Sequence, residues 1–472
     1  MPPLIGLDVG TSATKAILID NEGRVLKSVE RVYPMAIPQP GWAEQNPEDW
    51  AQAAKECLDE LGSDDVQGIG LTGQMHGSVF LDAQNKVVRP ALLWCDQRTA
   101  DECREIELAV GAERLRALTG NPALTGFQLP KLLWLRNHEP ENFKRTESML
   151  LPKDYIRFIL TGEKATEPSD ASGIGCLDVK NRSWSTEVLS TLSLSREILP
   201  KLAESASNVG EYQNVSVAAG GGDQAAGAVG TGTITPGILS LSLGTSGVVF
   251  EAFDDPIQDQ VDPIHNFCHA TGKWHRMGVM LSCGGAVRWA RDVLYGSASS
   301  YDAWNQEALR IPAGCDGLSF LPHLAGERCP FVDPHARGGW VGLGMHHTRG
   351  HLARAVMEGV CLTLLQCSQL MRPGRPQRVR VTGGGAKSDL WLQMVADVFE
   401  SPVEVLEADE GPAFGAALLA GVASGVWATL EEAVGQTVRV QRTVEPSHQN
   451  YDEFKARHAR IQSLRDAWAA DI

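Results

Sequence analysis

The sequence predicts an α/β protein of two domains facing one another across a cleft, and three observations carry that expectation. At 472 residues the chain exceeds one ordinary hydrophobic core. A strand, a Gly-Thr-Ser turn and a second strand occur twice, in LDVGTSATKAILID (7–20) and LSLGTSGVVFEAFD (241–254), with 234 residues from Gly10 to Gly244. A second pair of units, VQGIGLTGQMHG (66–77) and RVRVTGGGAKS (378–388), each runs from an apolar strand into Thr-Gly and a turn. Self-similarity of this kind reads as a duplication.

In chain order, Leu4–Val9 and 16–19 are apolar runs joined by small polar residues, the pattern of a hairpin buried in a sheet. Asp8 lies within the first run, and a carboxylate there must be satisfied or serve a purpose. The second copy carries Ser242 in its place. Facing hairpins would put phosphate-binding turns on both walls, and the asymmetric Asp8 marks the wall that handles a metal ion. GIGLTG (68–73) matches GxGxxG, but its glycines fall inside the strand and QMHG follows instead of a helix, the wrong context for a dinucleotide site. Met75 and His76 sit on the turn leaving that strand, where core packing and a substrate-facing role both fit. The domain boundary falls near TGTITP (231–236), giving 1–234 and 235–472. Ala/Leu-rich helices such as LARAVMEGVCLTLLQCSQLM (352–371) complete the α/β pattern. AFGAALLAGVASGVWA (413–428) is small-residue-rich and reads as a buried helix, not a membrane span.

Hydrophobic residues make 43% and charged ones 21%, as in ordinary globular enzymes. A net charge of −16 and a pI near 5.2 argue against nucleic acid or an anionic membrane as partner. A polyanionic ligand must therefore be held by local backbone amides and a metal ion. Asp8 and Lys15 interrupt the first apolar stretch, unlike a signal peptide. The 10 cysteines are scattered with no CxxC pair, which suits reduced thiols in a cytosol. HNFCHATGKWH (265–275) gathers His265, Cys268, His269 and His275, but the spacing fits no common zinc pattern, so these are expected to be strand and loop residues.

Two glycine-rich stretches carry the chemistry. In AAGGGDQAAGAVGTG (218–232) three glycines precede Asp223, exposing its carboxylate where side chains cannot obstruct it. Asp223 is either the N-cap of the helix that follows or a general base accepting a proton from a substrate hydroxyl. RVTGGGAKSDLWLQMVADVF (380–399) is a strand, a three-glycine turn and an amphipathic helix without the Lys-Ser/Thr of a Walker loop. Close helix–strand packing explains it, and so does a nucleotide lying against 383–386. EGPAFGAALLAG (410–421) would complete such a pocket.

Together with GWAEQNPEDW (41–50), ALLWCDQR (91–98), LPKDYIRFILTGEKATEPSDASG (151–173) and FLPHLAGERCPFVDPHARGGWVGL (320–343), these segments resemble the FGGY family of carbohydrate kinases over essentially the whole chain. Gly338, Trp340, Gly342, Leu343, His351, Leu352, Ala355 and Glu358 meet the family's C-terminal signature, and QMHG with LWCDQR and PKDY resembles its xylulose-phosphorylating branch. The resemblance implies two actin-like ATPase (ribonuclease-H-like) domains flanking a central catalytic cleft, with ATP and Mg²⁺ as cofactors. It implies that Asp8 positions the metal, that Gly10, Thr11, Ser12, Gly244, Thr245 and Ser246 line the phosphates, and that Gly384, Gly385, Ala386 and Ser388 line the adenosine. Met75, His76 and Gln224 would bind the sugar, and Asp223 would be the base. The implied reaction is ATP-dependent phosphorylation of D-xylulose to D-xylulose 5-phosphate by a cytoplasmic enzyme. Its partners would be sugar and ATP, with no nucleic acid or membrane, and a homodimer is the one assembly carried as an expectation.

The chain also departs from the family pattern. Gln224 stands where Asn is usual after the catalytic aspartate, Cys95 where Asn is common, and Gln128 where a small hydroxyl residue is expected before PKLLW. These weaken the choice of sugar, leaving another ketose or polyol such as ribulose, glycerol or an alditol; the absence of NQRE counts against glycerol. A non-kinase actin-like ATPase would be indifferent to ketoses. A non-catalytic sugar sensor would have lost Asp8 or Asp223, and both are present.

Overall fold

The opening hairpin forms where alternating apolar residues demand it. Leu4–Val9 pairs antiparallel with Ala13–Ile19, and Leu4, Leu7, Val9, Ala16, Ile17 and Ile19 are fully buried. The second strand starts at Ala13, ahead of the expected residue 16, because the Gly10 amide closes the turn on the Ala13 carbonyl at 3.0 Å. The computed structural model describes residues 2–62, 65–256, 263–407, 410–447 and 449–463.

Two sheets repeat one plan. In the first, Leu4–Val9, Ala13–Ile19 and Val25–Val32 form an antiparallel meander; Gly68–Gly73 and Val215–Ala218 add in parallel, and Asn208–Tyr212 takes the edge. In the second, Ile238–Leu243, Gly247–Phe253 and Trp274–Met280 form the meander, Arg378–Thr382 and Val403–Leu406 add in parallel, and Val440–Val444 takes the edge. His265–Cys268 extends the meander side. The correspondence reaches single rungs: Asp8 opposes Thr72, and Ser242 opposes Thr382. The repeat read from Gly-Thr-Ser is therefore a repeat of strand order and register.

Arg349–Met371 buries Ala353, Val356, Val360, Leu364, Cys367 and Met371, the 3.6-residue stripe of a helix under the second sheet. Pro412–Ala423 explains the glycines of GIGLTG. A Cβ on Gly6 or Gly70 would lie 1.8 Å from the carbonyl oxygen of Ala413 or Ala416, so the strands accept this helix only without side chains. On its other side, a Cβ on Gly415 would lie 1.7 Å from the Ala226 carbonyl oxygen in the helix Asp223–Gly230. The small-residue stretch is thus a buried helix shaped by backbone approach. Among the described residues no helix is long and apolar enough to cross a membrane. The proposed division, 1–234 and 235–472, falls in the connection between Asp223–Gly230 and Ile238–Leu243, although Pro412–Ala423 packs on the first sheet.

Candidate active site

Each Gly-Thr-Ser turn is braced by its carbonyls. The Tyr33 hydroxyl donates to the Gly10 carbonyl at 2.6 Å, and the Gln45 amide donates to the Thr11 carbonyl at 2.7 Å. The Gly284 amide donates to the Gly244 carbonyl at 2.7 Å, and those of Cys283 and Gly285 donate to Thr245 at 3.0 Å. The amides of Thr11, Ser12, Thr245 and Ser246 meet no protein acceptor among the described residues. Turns held from behind with donors left over suit an anion.

Asp223 lines the cleft, and Asp8, which lines none of the cavities described below, lies near enough to feel its charge. Asp223 is the first residue of its helix; Gly222 occupies the N-cap and offers no side chain, which removes the capping role for Asp223. The glycine run before it has a local cause: Gly220 adopts φ +83°, and a Cβ there would lie 1.9 Å from the Leu71 carbonyl oxygen. Burial pushes the Asp223 carboxyl up to about 6, against hydrogen bonds from Gln224. Asp8 is pushed up to about 7 by burial and by the charge of Asp223, against the pull of Lys15. The Asp8 Oδ1 atom is buried with no hydrogen-bond partner. Two carboxylates raised by burial, one of them also by the other's charge, are the electrostatic mark of a working site.

A cavity of about 500 Å³ is lined by Met75, His76, Asp223, Gln224 and Ser246, with Trp94, Phe127 and Phe267 supplying aromatic walls. His76 sits on the turn at φ +68°, its Nδ1 3.0 Å from the Gly173 carbonyl. Only an N–H satisfies a carbonyl, so Nε2 is left as an acceptor, and burial holds the imidazole neutral with a pKa near 3. A Cβ on Gly173 would lie 2.2 Å from that ring, which accounts for glycine in SDASG. Lys131, wholly buried and pushed down to about 7 by that burial, ties the His76 carbonyl at 2.8 Å to that of Gly126 at 2.6 Å.

The departures from the family pattern have separate explanations. Gln128 is fully buried and donates to the carbonyls of Gly77 and Leu150, so it holds the turn behind the cavity and does not line it. Cys95 does line it, with Gln224. In the same motif, Asp96 accepts the Ala43 amide at 2.7 Å, and Arg98 stacks 3.6 Å over Trp42, locking GWAEQ to LWCDQR. His265, Cys268 and His275 are strand residues; His275 stacks on Phe250 at 4.4 Å, and His265 turns its ring into the cavity wall.

A second cavity, about 640 Å³, is lined by Gly244, Thr245, Gly384, Gly385 and Ser388, with Arg288, Tyr301 and Asn305. Ser388 caps the helix Asp389–Phe399 and donates to Asn305 at 3.1 Å. Ala386, expected beside them, packs instead against the core of the second half. A crevice of about 270 Å³ shares Asp223 and Gln224 with the first cavity and is otherwise lined by Ser242, Thr382, Gly383, Gly411 and Pro412. Gly10, Thr11 and Ser12 line none of the three; Thr11 reaches the first through the Trp94 indole, which donates to its Oγ1 at 3.0 Å. Sequence reasoning missed Trp94, Phe127, Phe267 and Arg328 as cavity residues. LWCDQR and GERCP carried the only local signal for Trp94 and Arg328.

Comparison with known proteins is consistent with this geometry. The model of the N-terminal domain of the FGGY family of carbohydrate kinases matches residues 4–230, and that of the C-terminal domain matches 239–424. The chain is similar to the xylulose kinase of Bacillus subtilis (39% identical, covering 96% of this chain and 95% of that one). It is equally similar to the xylulose kinase of Escherichia coli (39% identical, covering 98% of each). The solved structure of ligand-bound xylulose kinase from Lactobacillus acidophilus superposes with a TM-score of 0.93 at 28% identity, covering 100% of this chain and 99% of that one. With both family domains in order along one chain, and relatives 39% identical over nearly its whole length, the chain belongs to the FGGY family of carbohydrate kinases.

Proposed function

We propose that this kinase transfers the γ-phosphoryl group of ATP to O5 of D-xylulose, giving D-xylulose 5-phosphate and ADP. The observation that carries the reading is the position of Asp223, shared between the cavity of Met75 and His76 and the crevice leading toward Gly383. The xylulose kinase relatives support the choice of sugar. Asp223 accepts the proton of the 5-hydroxyl as the O5–P bond forms and the bond from phosphorus to the ADP oxygen breaks. The phosphoryl group passes through a loose transition state, so the chain chiefly positions reactants and offers hydrogen bonds to spread charge. Amides of Thr11, Ser12, Thr245 and Ser246 serve that role, and Gly384, Gly385 and Ser388 hold the adenosine. His76 Nε2 accepts from a sugar hydroxyl, and Met75 packs against the sugar carbons.

The orphaned Asp8 Oδ1 fits a hard cation such as Mg²⁺. Among the described residues no group of three or more His, Cys, Asp or Glu side chains could hold a metal, so the remaining oxygens would come from phosphates and water. Magnesium, when bound there, supplies neutralisation of phosphate charge.

Coupled ADP-release assays across D-xylulose, D-ribulose, glycerol and xylitol test the substrate. The expected outcome is the highest kcat/KM for D-xylulose; a higher value for another sugar overturns it. Asp223→Asn, nearly isosteric but unable to take up a proton, should lower kcat by about 10²–10⁴ with ATP affinity and melting temperature kept. A variant retaining more than about a tenth of wild-type kcat counts against Asp223 as the base.

A further inference from the structure

Arg328 lines the same cavity as Met75, His76 and Asp223, and the reaction just described gives it no task. It follows Ser319–Leu321 in the second half of the chain. The neighbouring Glu327 is engaged elsewhere, accepting from His323 Nδ1 at 2.8 Å and from the Leu281 amide at 2.9 Å. Among the described residues the guanidinium has one side-chain partner, His265 Nε2 at 3.0 Å. His265 is itself oriented: the Asn121 amide nitrogen donates to the Asn266 carbonyl at 2.8 Å, which turns its oxygen toward His265 Nδ1 at 3.2 Å. Nδ1 therefore carries the proton, and neutral Nε2 accepts from Arg328. One arm of the guanidinium is fixed, and its remaining N–H donors are left for the cavity. His265, which Arg328 bonds, stacks on Phe267 at 5.7 Å, and Phe267 and Phe127 flank the His76 ring at 6.2 and 4.8 Å. Arg328 thus belongs to the His76 end of the cavity.

We propose that Arg328, oriented by His265 and Asn121, reads the C1–C2 end of a 2-ketose by donating to the C2 carbonyl oxygen. This rests on the D-xylulose reading above. If O5 faces Asp223, C1 and C2 are the atoms farthest from the reacting bond and fall at the His76 end. A guanidinium only donates and a ketone oxygen only accepts. A C2 hydroxyl also accepts, but out of the carbonyl plane and with its own proton to place, so the pair favours ketoses over alditols. The sugar then touches residues from both halves of the chain, and its binding draws the two walls together.

Steady-state kinetics of Arg328→Gln and Arg328→Lys, with xylitol (D-xylulose reduced at C2) as a competitive inhibitor, test this. Arg328→Gln should raise KM for D-xylulose about tenfold to a hundredfold, the worth of a hydrogen bond from a charged donor. KM for ATP, kcat and the inhibition constant of xylitol should stay within about threefold, the pattern of lost ground-state binding to the carbonyl alone. Arg328→Lys keeps the charge without the fork and should fall between, and it decides the matter if the glutamine variant melts early. An unchanged KM for D-xylulose, equal weakening of D-xylulose and xylitol, or a fall in kcat at constant KM overturns the proposal. A wild-type enzyme inactive on D-xylulose overturns the substrate reading itself, a result distinct from any of these.

Discussion

His76 and Asp8 show how single side chains are tuned by what surrounds them. His76 donates through Nδ1 to Gly173 and keeps Nε2 as an acceptor. Its replacement by alanine should remove one hydrogen bond to a neutral hydroxyl and raise KM for D-xylulose up to about tenfold, with KM for ATP unmoved. Equal effects on both substrates would return His76 to a packing role. Asp8 has a folded pKa of about 7 against an ordinary 3.8. Between those values the folded state keeps a proton that the unfolded state has released. Its contribution is therefore fully favourable below the unfolded value and is lost as pH rises through about 7. In nucleotide-free and magnesium-free buffer, wild-type protein should be more stable at pH 5 than at pH 8. Asp8→Asn should shrink that difference by up to about 3 kcal/mol, at about 1.4 kcal/mol per pKa unit over the two units between pH 5 and the folded value, and melt higher than wild type at pH 8. The same variant should lose kinase activity or require far more magnesium; full activity at unaltered magnesium dependence would remove Asp8 from the metal site.

At the scale of elements, the helix Pro412–Ala423 is the bearing on which the helix that begins at Asp223 rests. Gly415 has no room for a methyl group against the Ala226 carbonyl, and Ala226 lies three residues beyond Asp223. Gly415→Ala should displace one helix from the other, lowering stability by about 1–3 kcal/mol as overpacking does, and lowering kcat with it. Gly435, inside Leu430–Thr437 with no atom near its absent Cβ, is the control. Gly435→Ala should leave activity intact and add about 0.5–1 kcal/mol through helix propensity. Denaturant melts paired with kcat measurements separate the two; loss of stability without loss of kcat at Gly415 would show that Asp223 does not depend on this helix.

At the scale of the whole molecule, the 500 Å³ cavity and the crevice beside it lie between walls from both halves, whereas the 640 Å³ cavity belongs wholly to the second. His76 and Asp223 from the first half line one cavity with His265 and Arg328 from the second, and the two Gly-Thr-Ser turns belong to different sheets. D-xylulose and ATP together should therefore compact the protein, read as a smaller radius of gyration by solution scattering, as cleft closure excludes water from the phosphoryl group. An unchanged radius at saturation would mean a preformed site. The edge strand Val25–Val32 exposes Leu26 at 56% and Val32 at 79%, with Ile37 at 65% nearby. This favours the homodimer, and light scattering should give twice the 51.0 kDa chain mass; a monomer mass at micromolar concentration would exclude it.

What could be read along the chain was whatever local spacing encodes. Alternating apolar residues around Gly-Thr-Ser marked both hairpins, and the glycines before Asp223 marked an unobstructed carboxylate. These signals are local because strand pairing and turn closure act over a few residues. Asp8, Met75, His76, Asp223 and Ser388 were marked as candidates this way or through the family resemblance that such motifs carry. Tertiary structure alone decided the rest. Gly6 and Gly70 are glycine because a helix more than 340 residues later lies against them. Gln128 is a clamp on the turn after His76, since a buried amide is spent on whichever carbonyls face it. Arg328 lines the cavity of Met75 and His76 because the chain after Ser319–Leu321 meets there the turn after Gly68–Gly73, a juxtaposition that no spacing within either segment contains. Close packing and burial are properties of surfaces brought together by the fold, so the residues that satisfy them carry no mark in the sequence beside them.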